Sequence, residues 1–334
     1  MMHRFLASRI LFTAPELTVL DEFLEIPAEL GDTNLSQDDR IRLCSKHCKG
    51  FDHSRIFNFD TLSGDLSAEK YGRSMWFLPK VFLRIRPGQG ATVKADLANA
   101  GVSFETDPEH DHILSTDHGK QVTETTSYRN GLFEIQDRSS QIAASMILVT
   151  EKQLVWDCFA GAGGKCLCIA DATPGIRIVA SDKRASIVRN LNERIRRNRV
   201  QNIDTMVYDI LGDDKPSHNI YDSAEVVIAD VPCSGSGTWA RHPENLTLFE
   251  PSAIEKFASL QRQLMTTLSK KIRRPITIYY ITCSVFRAEN EEIMEFCESE
   301  LNYKCLESSL ISGVGHGADS MFIARLVLDR HEAG

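Results

Sequence analysis

Two cysteines stand where a thiol can do chemistry. Cys233 lies in DVPCSG and Cys283 in ITCS, and each follows an apolar run that predicts a buried strand. A thiolate at a strand end can attack an electrophilic carbon, although most buried cysteines only fill a core. Small polar neighbours at both positions, and Asp230 close to Cys233, favour the chemical interpretation. The spacing does not indicate which of the two thiols attacks.

A glycine-rich turn forms a second candidate site. It follows the predicted strand LVWD and precedes a predicted helix, a context in which backbone N–H groups approach a nucleotide-type ligand. It has neither the ending of a phosphate-binding loop nor the GxGxxG spacing, and a packed turn is the alternative interpretation. Its residues are Phe159, Ala160, Gly161, Ala162, Gly163, Gly164 and Lys165.

Two aspartates extend this site toward a nucleoside. Asp182 closes the next predicted strand about twenty residues after the turn, from where a carboxylate accepts hydrogen bonds from ribose hydroxyls. Asp209 closes the third strand, where it can contact an adenine edge. A surface ion pair with Arg184 or Arg189 is the alternative for Asp182. The turn and the two aspartates together predict an adenosine-containing cofactor.

The elements that position these residues alternate as strands and helices from Leu154 onward, which predicts a doubly wound α/β sheet. Ligands of such sheets bind beyond the carboxyl ends of the strands. We therefore expect one crevice to gather the residues that end the predicted strands: Asp157, Asp182, Asp209, Asp230, Cys233 and Cys283.

The chain before this unit predicts two further parts. The pattern is helical from Ala14 to about Gly72, and KVFLRIRPGQGATVKADLANAGVSFE predicts a small α+β unit. We place the boundaries at 1–70, 71–126 and 127–334. Candidate phosphate contacts in the α+β unit are Lys80, Arg84, Arg86 and Lys94. Cys44, His47 and Cys48 have the spacing of half a zinc site. No second Cys/His pair follows at the spacing of metal ligands, so we expect no metal.

Bulk composition narrows the class of protein. The 334 residues are 42% hydrophobic and 25% charged, which is typical of globular domains, and no apolar stretch is long enough to span a bilayer. Nine cysteines without a secretion signal indicate reduced thiols and a cytoplasmic location. The net charge of -8 opposes nucleic-acid binding unless positive charge is concentrated locally. Basic clusters at 184–199 and 270–274 are either phosphate contacts or solvated helix faces.

Six segments, in chain order, resemble the successive motifs of the RNA cytosine-C5 methyltransferases of the Sun/NOP/RsmB family. They are VWDCFAGAGGK, ASDKRASIVRNLNERIRRN, IADVPCSGSGTWARHPE, LQRQLM, YITCSVFRAENEE and DSMFIARL. The resemblance begins at GLFEIQDRSSQ, and KVFLRIRPG is similar to the first strand of the family's RRM-like domain. It implies a Rossmann-like S-adenosylmethionine-dependent methyltransferase domain with a seven-stranded, mostly parallel sheet, behind a smaller RRM-like α+β domain.

The resemblance also implies roles for four residues. Cytosine C5 is a poor nucleophile until a thiolate adds to C6, and in this family the attacking thiol is that of the TCS motif, here Cys283. Cys233 would assist breakdown of the adduct. Asp230 would hold or protonate N3 of the base and border the cofactor, and Lys165 would lie close to the reacting centre.

The implied partner is RNA, with ribosomal RNA favoured over transfer RNA, and the protein is expected to act as a monomer without a membrane. The chain departs from the family pattern at Phe159, Ala162 and His242. One rival is a DNA cytosine-5 methyltransferase, which would attack with Cys233, but its PCQ motif is missing. The other is an RNA-binding ribosome assembly factor with little or no catalytic activity.

Overall fold

The computed structural model describes residues 39, 42, 46, 57, 59–75, 79–117, 119–216 and 219–328. Most of the predicted helical region 1–70, including Cys44, His47 and Cys48, lies outside the described residues.

An antiparallel four-stranded sheet forms the first unit. Its elements are α1 (Ala68–Ser74), β1 (Val81–Ile85), α2 (Gly90–Asn99), β2 (Glu105–Thr106), β3 (Ile113–Thr116), α3 (Gly119–Val122), α4 (Thr126–Arg129) and β4 (Phe133–Ile135). The strand order is β2-β3-β1-β4, the order of a ferredoxin-like unit and hence of an RRM-like domain. β4 pairs with β1, so the small sheet extends past the predicted boundary between residues 126 and 127.

A seven-stranded sheet forms the second unit, as predicted. Its elements are α5 (Arg138–Ser145), β5 (Leu154–Asp157), α6 (Gly164–Ala172), β6 (Arg177–Asp182), α7 (Ala185–Asn198), β7 (Ile203–Val207), α8 (Ile220–Ser223), β8 (Val226–Asp230), α9 (Pro243–Leu248), α10 (Ser252–Lys271), β9 (Ile276–Thr282), α11 (Glu291–Glu300), β10 (Tyr303–Ile311) and β11 (Met321–Leu328), with short 3₁₀ turns at Ser236–Thr238 and Arg287–Glu289.

The strand order β10-β11-β9-β8-β5-β6-β7 creates a switch point between β5 and β8. From β5 the chain builds outward through β6 and β7, then returns to the other side for β8 and β9. All of these strands are parallel, and β11 is antiparallel to both its neighbours. Apolar cores cover both faces of the sheet. The loops after β5, β8 and β9 therefore meet at one edge, where a doubly wound sheet holds its ligand.

Ion pairs between the two units involve several arginines that were candidate phosphate contacts. Arg84 and Arg86 both bind Asp171 on α6, with Nη1 of Arg84 2.7 Å from the carboxylate. Glu134 on β4 accepts hydrogen bonds from Arg194 and Arg197 on α7. These four arginines join the two units, and each pair of arginines shares one buried carboxylate.

None of the helices within the described ranges is both long enough and apolar enough to cross a lipid bilayer.

Candidate active site

The glycine turn lies between β5 and α6, as predicted. Ala160 donates to the carbonyl of Ser181, and the Gly163 N–H donates to the carbonyl of Ala160 at 2.8 Å. Gly163 has a φ of 88°, and a Cβ there would lie 2.2 Å from Leu191. Only glycine therefore fits, and α6 begins immediately after it without a side-chain cap. The first N–H groups of α6, the positive end of its dipole, are left for a ligand.

Asp182 and Asp209 follow β6 and β7 near this turn. The guanidinium of Arg184 donates to both carboxylate oxygens of Asp182, at 2.8 and 2.9 Å. The side chain of Arg184 is 60% exposed. Burial would raise the pKa of Asp182, but the hydrogen bonds from Arg184 outweigh it and lower that pKa. Asp182 is thus an ionised acceptor with lone pairs to spare for hydroxyl donors. Asp209 is exposed and caps the N–H of Leu211 at 3.1 Å.

These features fit an adenosine-type cofactor. The turn is open, because a Cβ on Gly161 would meet nothing closer than 3.9 Å. Beneath it Asp157 is buried and its Oδ1 has no hydrogen-bond partner. The ionised Asp182 ends β6 and the exposed Asp209 follows β7, at the edge of the sheet where ribose and base would lie. The donors and acceptors are therefore those that an adenosine cofactor needs.

Lys165, Asp230 and Asp157 form a buried charged group at the switch point. Nζ of Lys165 lies 2.6 Å from Oδ2 of Asp230. Burial would lower the pKa of Lys165, but the charges of Asp230, Asp157 and Cys283 outweigh it and raise that pKa. Burial, reinforced by the charge of Asp230, raises the pKa of Asp157 to about 7. The positive charge of Lys165 thus interacts with two carboxylates, directly with Asp230 and at longer range with Asp157.

This group gives a testable pH dependence. Asp157 has a folded-state pKa of about 7 and an unfolded pKa of about 3.9, so the folded protein holds its proton more tightly. The protein therefore loses stability from this group as pH rises from about 4 to about 7. We expect Asp157→Asn to remove this loss. The variant should gain about 3 kcal/mol relative to the parent between pH 5 and pH 8.

Urea denaturation of the cofactor-free protein at the two pH values measures this difference. Asp209→Asn is the matched control, because Asp209 is exposed and its replacement should leave the pH dependence of the parent unchanged. Equal pH dependence of Asp157→Asn and the parent would contradict the prediction.

The sulfur atoms of the two predicted cysteines are in contact. Sγ of Cys233, on the loop after β8, lies 3.3 Å from Sγ of Cys283, which follows β9. The hydrogen bond to Cys283, followed by burial and the charges of Cys283 and Glu289, raises the pKa of Cys233 well above its usual value. Cys233 is therefore held as a neutral thiol that can donate to its neighbour. The sequence placed both cysteines near strand ends but did not show that their sulfur atoms are in contact.

Glu289 joins the two cysteine loops. It is fully buried and accepts from the N–H of Ser234 at 2.9 Å, from Oγ of Ser284 at 2.7 Å and from Nε2 of Gln261 at 3.0 Å. Next to it, Asn290 accepts from Thr282 at 2.6 Å. The residues after Cys233 and Cys283 are thus fixed to one carboxylate. The sequence places Glu289 within the segment YITCSVFRAENEE, and no role was predicted for it.

The N-terminal segment, residues 59–75, covers the outside of both loops. Oη of Tyr71 donates to the carbonyl of Ser236 at 2.5 Å, and the Ser63 N–H donates to the carbonyl of Val285 at 2.9 Å. Aromatic rings fill the space between them, from Phe57, Phe59, Tyr71, Trp239, Phe249 and Phe286. This contribution was not predicted, because the segment carries no recognisable motif.

Arg241 ties the same region to the small sheet. It donates to Asp137 at 2.9 Å, to Asp319 at 3.2 Å and to the carbonyl of Lys80 at 3.2 Å. Burial and the charge of Asp137 raise the pKa of Asp319 to about 6. The neighbouring His242, a departure from the family pattern, is exposed.

Gly237 is the tightest point of the cysteine loops. A Cβ there would lie 2.0 Å from the carbonyl oxygen of Ser320 and 2.9 Å from that of Cys283, and both are backbone atoms. We expect Gly237→Ala to cost about 2 kcal/mol or more of stability. Methyl transfer should fall with it, because the hydrogen bond from the Gly237 N–H to Cys283 is displaced.

Urea denaturation and a methyl-transfer assay report the two effects. Gly90→Ala is the matched control, because nothing lies within 4 Å of its Cβ position at the start of α2, and it should stay within about 0.5 kcal/mol of the parent. A Gly237→Ala protein as stable and active as the parent would disprove the predicted clash.

The predicted residues thus form two groups. Lys165, Asp230, Cys233 and Cys283 are linked in pairs at the switch point. Asp182 and Asp209 follow the neighbouring strands and share no hydrogen bond with those four among the described residues. A Rossmann-like sheet with this strand order, an open glycine turn and an acidic residue after β6 defines the class of S-adenosylmethionine-dependent methyltransferases.

Comparison with known proteins places the chain within that class. The profile described as 16S rRNA methyltransferase RsmB/F matches residues 144–331, more than half of the chain, and the chain belongs to this family. It is 25% identical over 211 residues to ribosomal RNA small subunit methyltransferase B of Vibrio cholerae, covering 62% of this chain and 48% of that protein. It is 28% identical over 235 residues to methyltransferase F of Shewanella amazonensis, covering 68% and 49%. The chain spans about half the length of these relatives.

Solved structures show the same fold. The structure of NSun6 from Pyrococcus horikoshii with SFG superposes with a TM-score of 0.68 at 16% identity, covering 84% of this chain and 98% of that one. A methyltransferase homolog from the same organism gives a TM-score of 0.66 at 18% identity, covering 80% and 92%. Both cover more of the chain than the family profile does.

Proposed function

We propose that this protein transfers the methyl group of S-adenosylmethionine to C5 of a cytosine in RNA, with ribosomal RNA as the substrate. The observation that carries the proposal is the 3.3 Å approach of the thiols of the PCSG and TCS motifs, beside the Lys165–Asp230 pair. Two thiols at one point suit a reaction that must form a covalent bond to the base and then break it. Family membership and the names of the relatives support ribosomal RNA.

The cycle begins with attack on the base. The thiolate of Cys283 forms a bond to C6, and the electron pair of the C5–C6 double bond moves through the ring toward N3. Asp230 passes to N3 a proton that it takes from Nζ of Lys165, 2.6 Å away, so the pair is left as a carboxylate and a neutral amine. C5 becomes an enamine carbon.

The glycine turn and Asp182 would hold S-adenosylmethionine, which would supply the electrophilic methyl group that C5 takes up and would leave as S-adenosylhomocysteine. The C5 proton then leaves to water, the C5–C6 double bond forms again, and the bond from Sγ of Cys283 to C6 breaks with its electron pair on sulfur. N3 returns its proton to the Lys165–Asp230 pair. Cys233 assists this release, because a neutral thiol 3.3 Å away can hydrogen-bond to the departing thiolate. The resemblance to the family, in which the thiol of the TCS motif attacks, is what assigns attack to Cys283 and release to Cys233. The target base must be unpaired or flipped out of a helix to reach Cys283.

The test supplies the full chain with S-adenosylmethionine and one of three substrates from cells that lack the gene. These are small-subunit ribosomal RNA, assembled small subunits and transfer RNA. Nucleoside mass spectrometry should find new 5-methylcytidine in ribosomal RNA, and bisulfite sequencing then locates the site. Methylation of transfer RNA alone would move the substrate to the alternative. Cofactor binding without methyl transfer to any of them would indicate an assembly factor.

A further inference from the structure

The peptide group between Ala162 and Gly163, in the middle of the glycine turn, is held at both of its polar atoms. Its N–H, that of Gly163, donates to the carbonyl of Ala160 at 2.8 Å. Its oxygen, that of Ala162, accepts from Nη1 of Arg194 at 2.6 Å. Because the peptide group is planar, these two bonds fix its orientation and keep Gly163 at its φ of 88°. They thereby set the direction of the N–H groups at the start of α6, the donors available to a ligand.

Two side chains of α7 contact this turn. Leu191 and Arg194 are three positions apart, so they lie on the same face of the helix. Leu191 is fully buried, and its Cδ1 would lie 2.2 Å from a Cβ on Gly163, so it fills the space that glycine leaves open. Arg194 adds the polar contact to Ala162. The position of the Ala162 carbonyl therefore depends on where the Arg194 guanidinium is held.

The other side of the Arg194 guanidinium is anchored on the small sheet. Its Nε donates to Oε2 of Glu134 on β4 at 3.0 Å, and its Nη2 donates to the same oxygen. The side chain of Glu134 is 2% exposed. Burial would raise the pKa of Glu134, but the charge of Arg194, together with hydrogen bonds from three side chains of α7, outweighs it and lowers that pKa. Glu134 is therefore ionised, and it holds Arg194 by charge-assisted hydrogen bonds.

A second contact joins the small sheet to the same turn. Gln136 directly follows β4, and its Nε2 would lie 3.5 Å from a Cβ on Gly164, the first residue of α6. Oε1 of Gln136 accepts from Nε of Arg84 on β1 at 2.9 Å. The small sheet thus supports the glycine turn at two points, through Arg194 at Ala162 and through Gln136 at Gly164.

We propose that Arg194 is a positioning residue for the cofactor, and that the small sheet, through Glu134, increases the affinity of the glycine turn for S-adenosylmethionine. The proposal rests on the proposed function only in placing that cofactor on the turn, and RNA takes no part in it. Arg197 provides the comparison. It binds the same Glu134, but its guanidinium lies over the ring of Tyr128, 4.2 Å from the ring centre.

Isothermal titration of the full chain with S-adenosylmethionine, without RNA, tests the proposal. Arg194→Met removes the donor to Ala162 and should raise the dissociation constant about tenfold, as expected for the loss of one charge-assisted hydrogen bond. Arg197→Met is the matched control, because it breaks an ion pair with the same carboxylate, and its constant should stay within about twofold of the parent's. Equal dissociation constants for these two variants would overturn the proposal.

Two further variants test the path through the small sheet. Glu134→Gln keeps an acceptor but loses the charge that holds Arg194, so it should weaken binding of the cofactor. Combined with Arg194→Met, it should weaken binding no further, because Glu134 acts through Arg194; additive losses would contradict this. If Arg194→Met does not fold, Arg194→Lys takes its place. A lysine keeps the charge but cannot bind both partners at once, so this variant should still bind the cofactor more weakly than the parent.

Asp182→Ala, which removes the proposed ribose acceptor, separates the possible failures. Weaker binding in Asp182→Ala with the parent's affinity in Arg194→Met would refute the positioning role alone. The parent's affinity in both variants would refute the placement of the cofactor on the turn, and the positioning role with it. In methyl-transfer assays the loss in Arg194→Met should appear in the KM for S-adenosylmethionine, and a fall in kcat at the parent's KM would contradict the proposal. A parent that binds the cofactor as expected but methylates no RNA refutes the proposed function alone.

Discussion

Replacement of Cys283 by alanine should abolish methyl transfer, by a factor on the order of 10⁴ or more. In the proposed mechanism this sulfur activates the C5–C6 bond of cytosine, so the loss should appear in kcat rather than in RNA or cofactor affinity. No covalent protein–RNA adduct should form. The assay combines transfer of a radioactive methyl group with a denaturing gel that separates free RNA from adduct.

Replacement of Cys233 by alanine should have a different result. Attack by Cys283 remains possible, but release loses the thiol that lies 3.3 Å from the leaving sulfur. The adduct should therefore accumulate as a band that resists denaturation. Cys305→Ala is the control, because this half-buried cysteine on β10 lies away from the site and should behave as the parent. An adduct that requires Cys233 and survives loss of Cys283 would reverse the two roles, as in the rival DNA methyltransferase.

The sequence predicted which polar residues lie together at one edge of the sheet, because most of them end a strand or follow one closely. Apolar runs that stop at Asp157, Asp182 and Asp230 identify strand ends without any tertiary information. In a doubly wound sheet, strand ends share one edge, so convergence follows from topology. The resemblance then separated the roles of Cys283 and Cys233, which spacing had left equal.

The contacts between distant segments were not predictable in the same way. Arg84 has the alternating pattern of a half-exposed strand, yet Asp171 from another unit makes it a buried ion pair. The short strand β4 was assigned to the wrong side of a boundary, because only its pairing with β1 shows which sheet it completes. Such contacts depend on a residue that is distant in the sequence, and the local sequence pattern does not identify that residue.

Glu289 is the most consequential of these unpredicted contacts. It lies 55 positions from Ser234, whose N–H it binds, and it also holds Ser284 and Gln261. Its charge is one of the causes, after the hydrogen bond to Cys283, burial and the charge of Cys283, that raise the pKa of Cys233. One buried carboxylate therefore holds both loops and contributes to the raised pKa of one thiol.

Two substitutions separate these effects. Glu289→Ala removes the acceptor that Ser234, Ser284 and Gln261 share, which should cost about 3 kcal/mol of stability. A displacement of either thiol by about 1 Å should lower kcat by about 10²-fold. Glu289→Gln keeps an acceptor for Ser234 and Gln261, and Ser284 can reverse its hydroxyl, so stability and kcat should stay much closer to the parent's. Urea denaturation and methyl-transfer kinetics measure both.

The charge effect needs a readout that a structural role would not change. Loss of the negative charge in Glu289→Gln should lower the pKa of Cys233, so more thiolate is present at a given pH. Iodoacetamide alkylation, followed at the Cys233 peptide by mass spectrometry, should therefore shift to lower pH in this variant. Glu291→Gln is the control, because Glu291 binds Ser63 and Gly64 rather than the cysteine loops. An unshifted alkylation profile in Glu289→Gln would mean that Glu289 acts on the loops through geometry alone, and that the charge at this position has no part in keeping Cys233 a thiol.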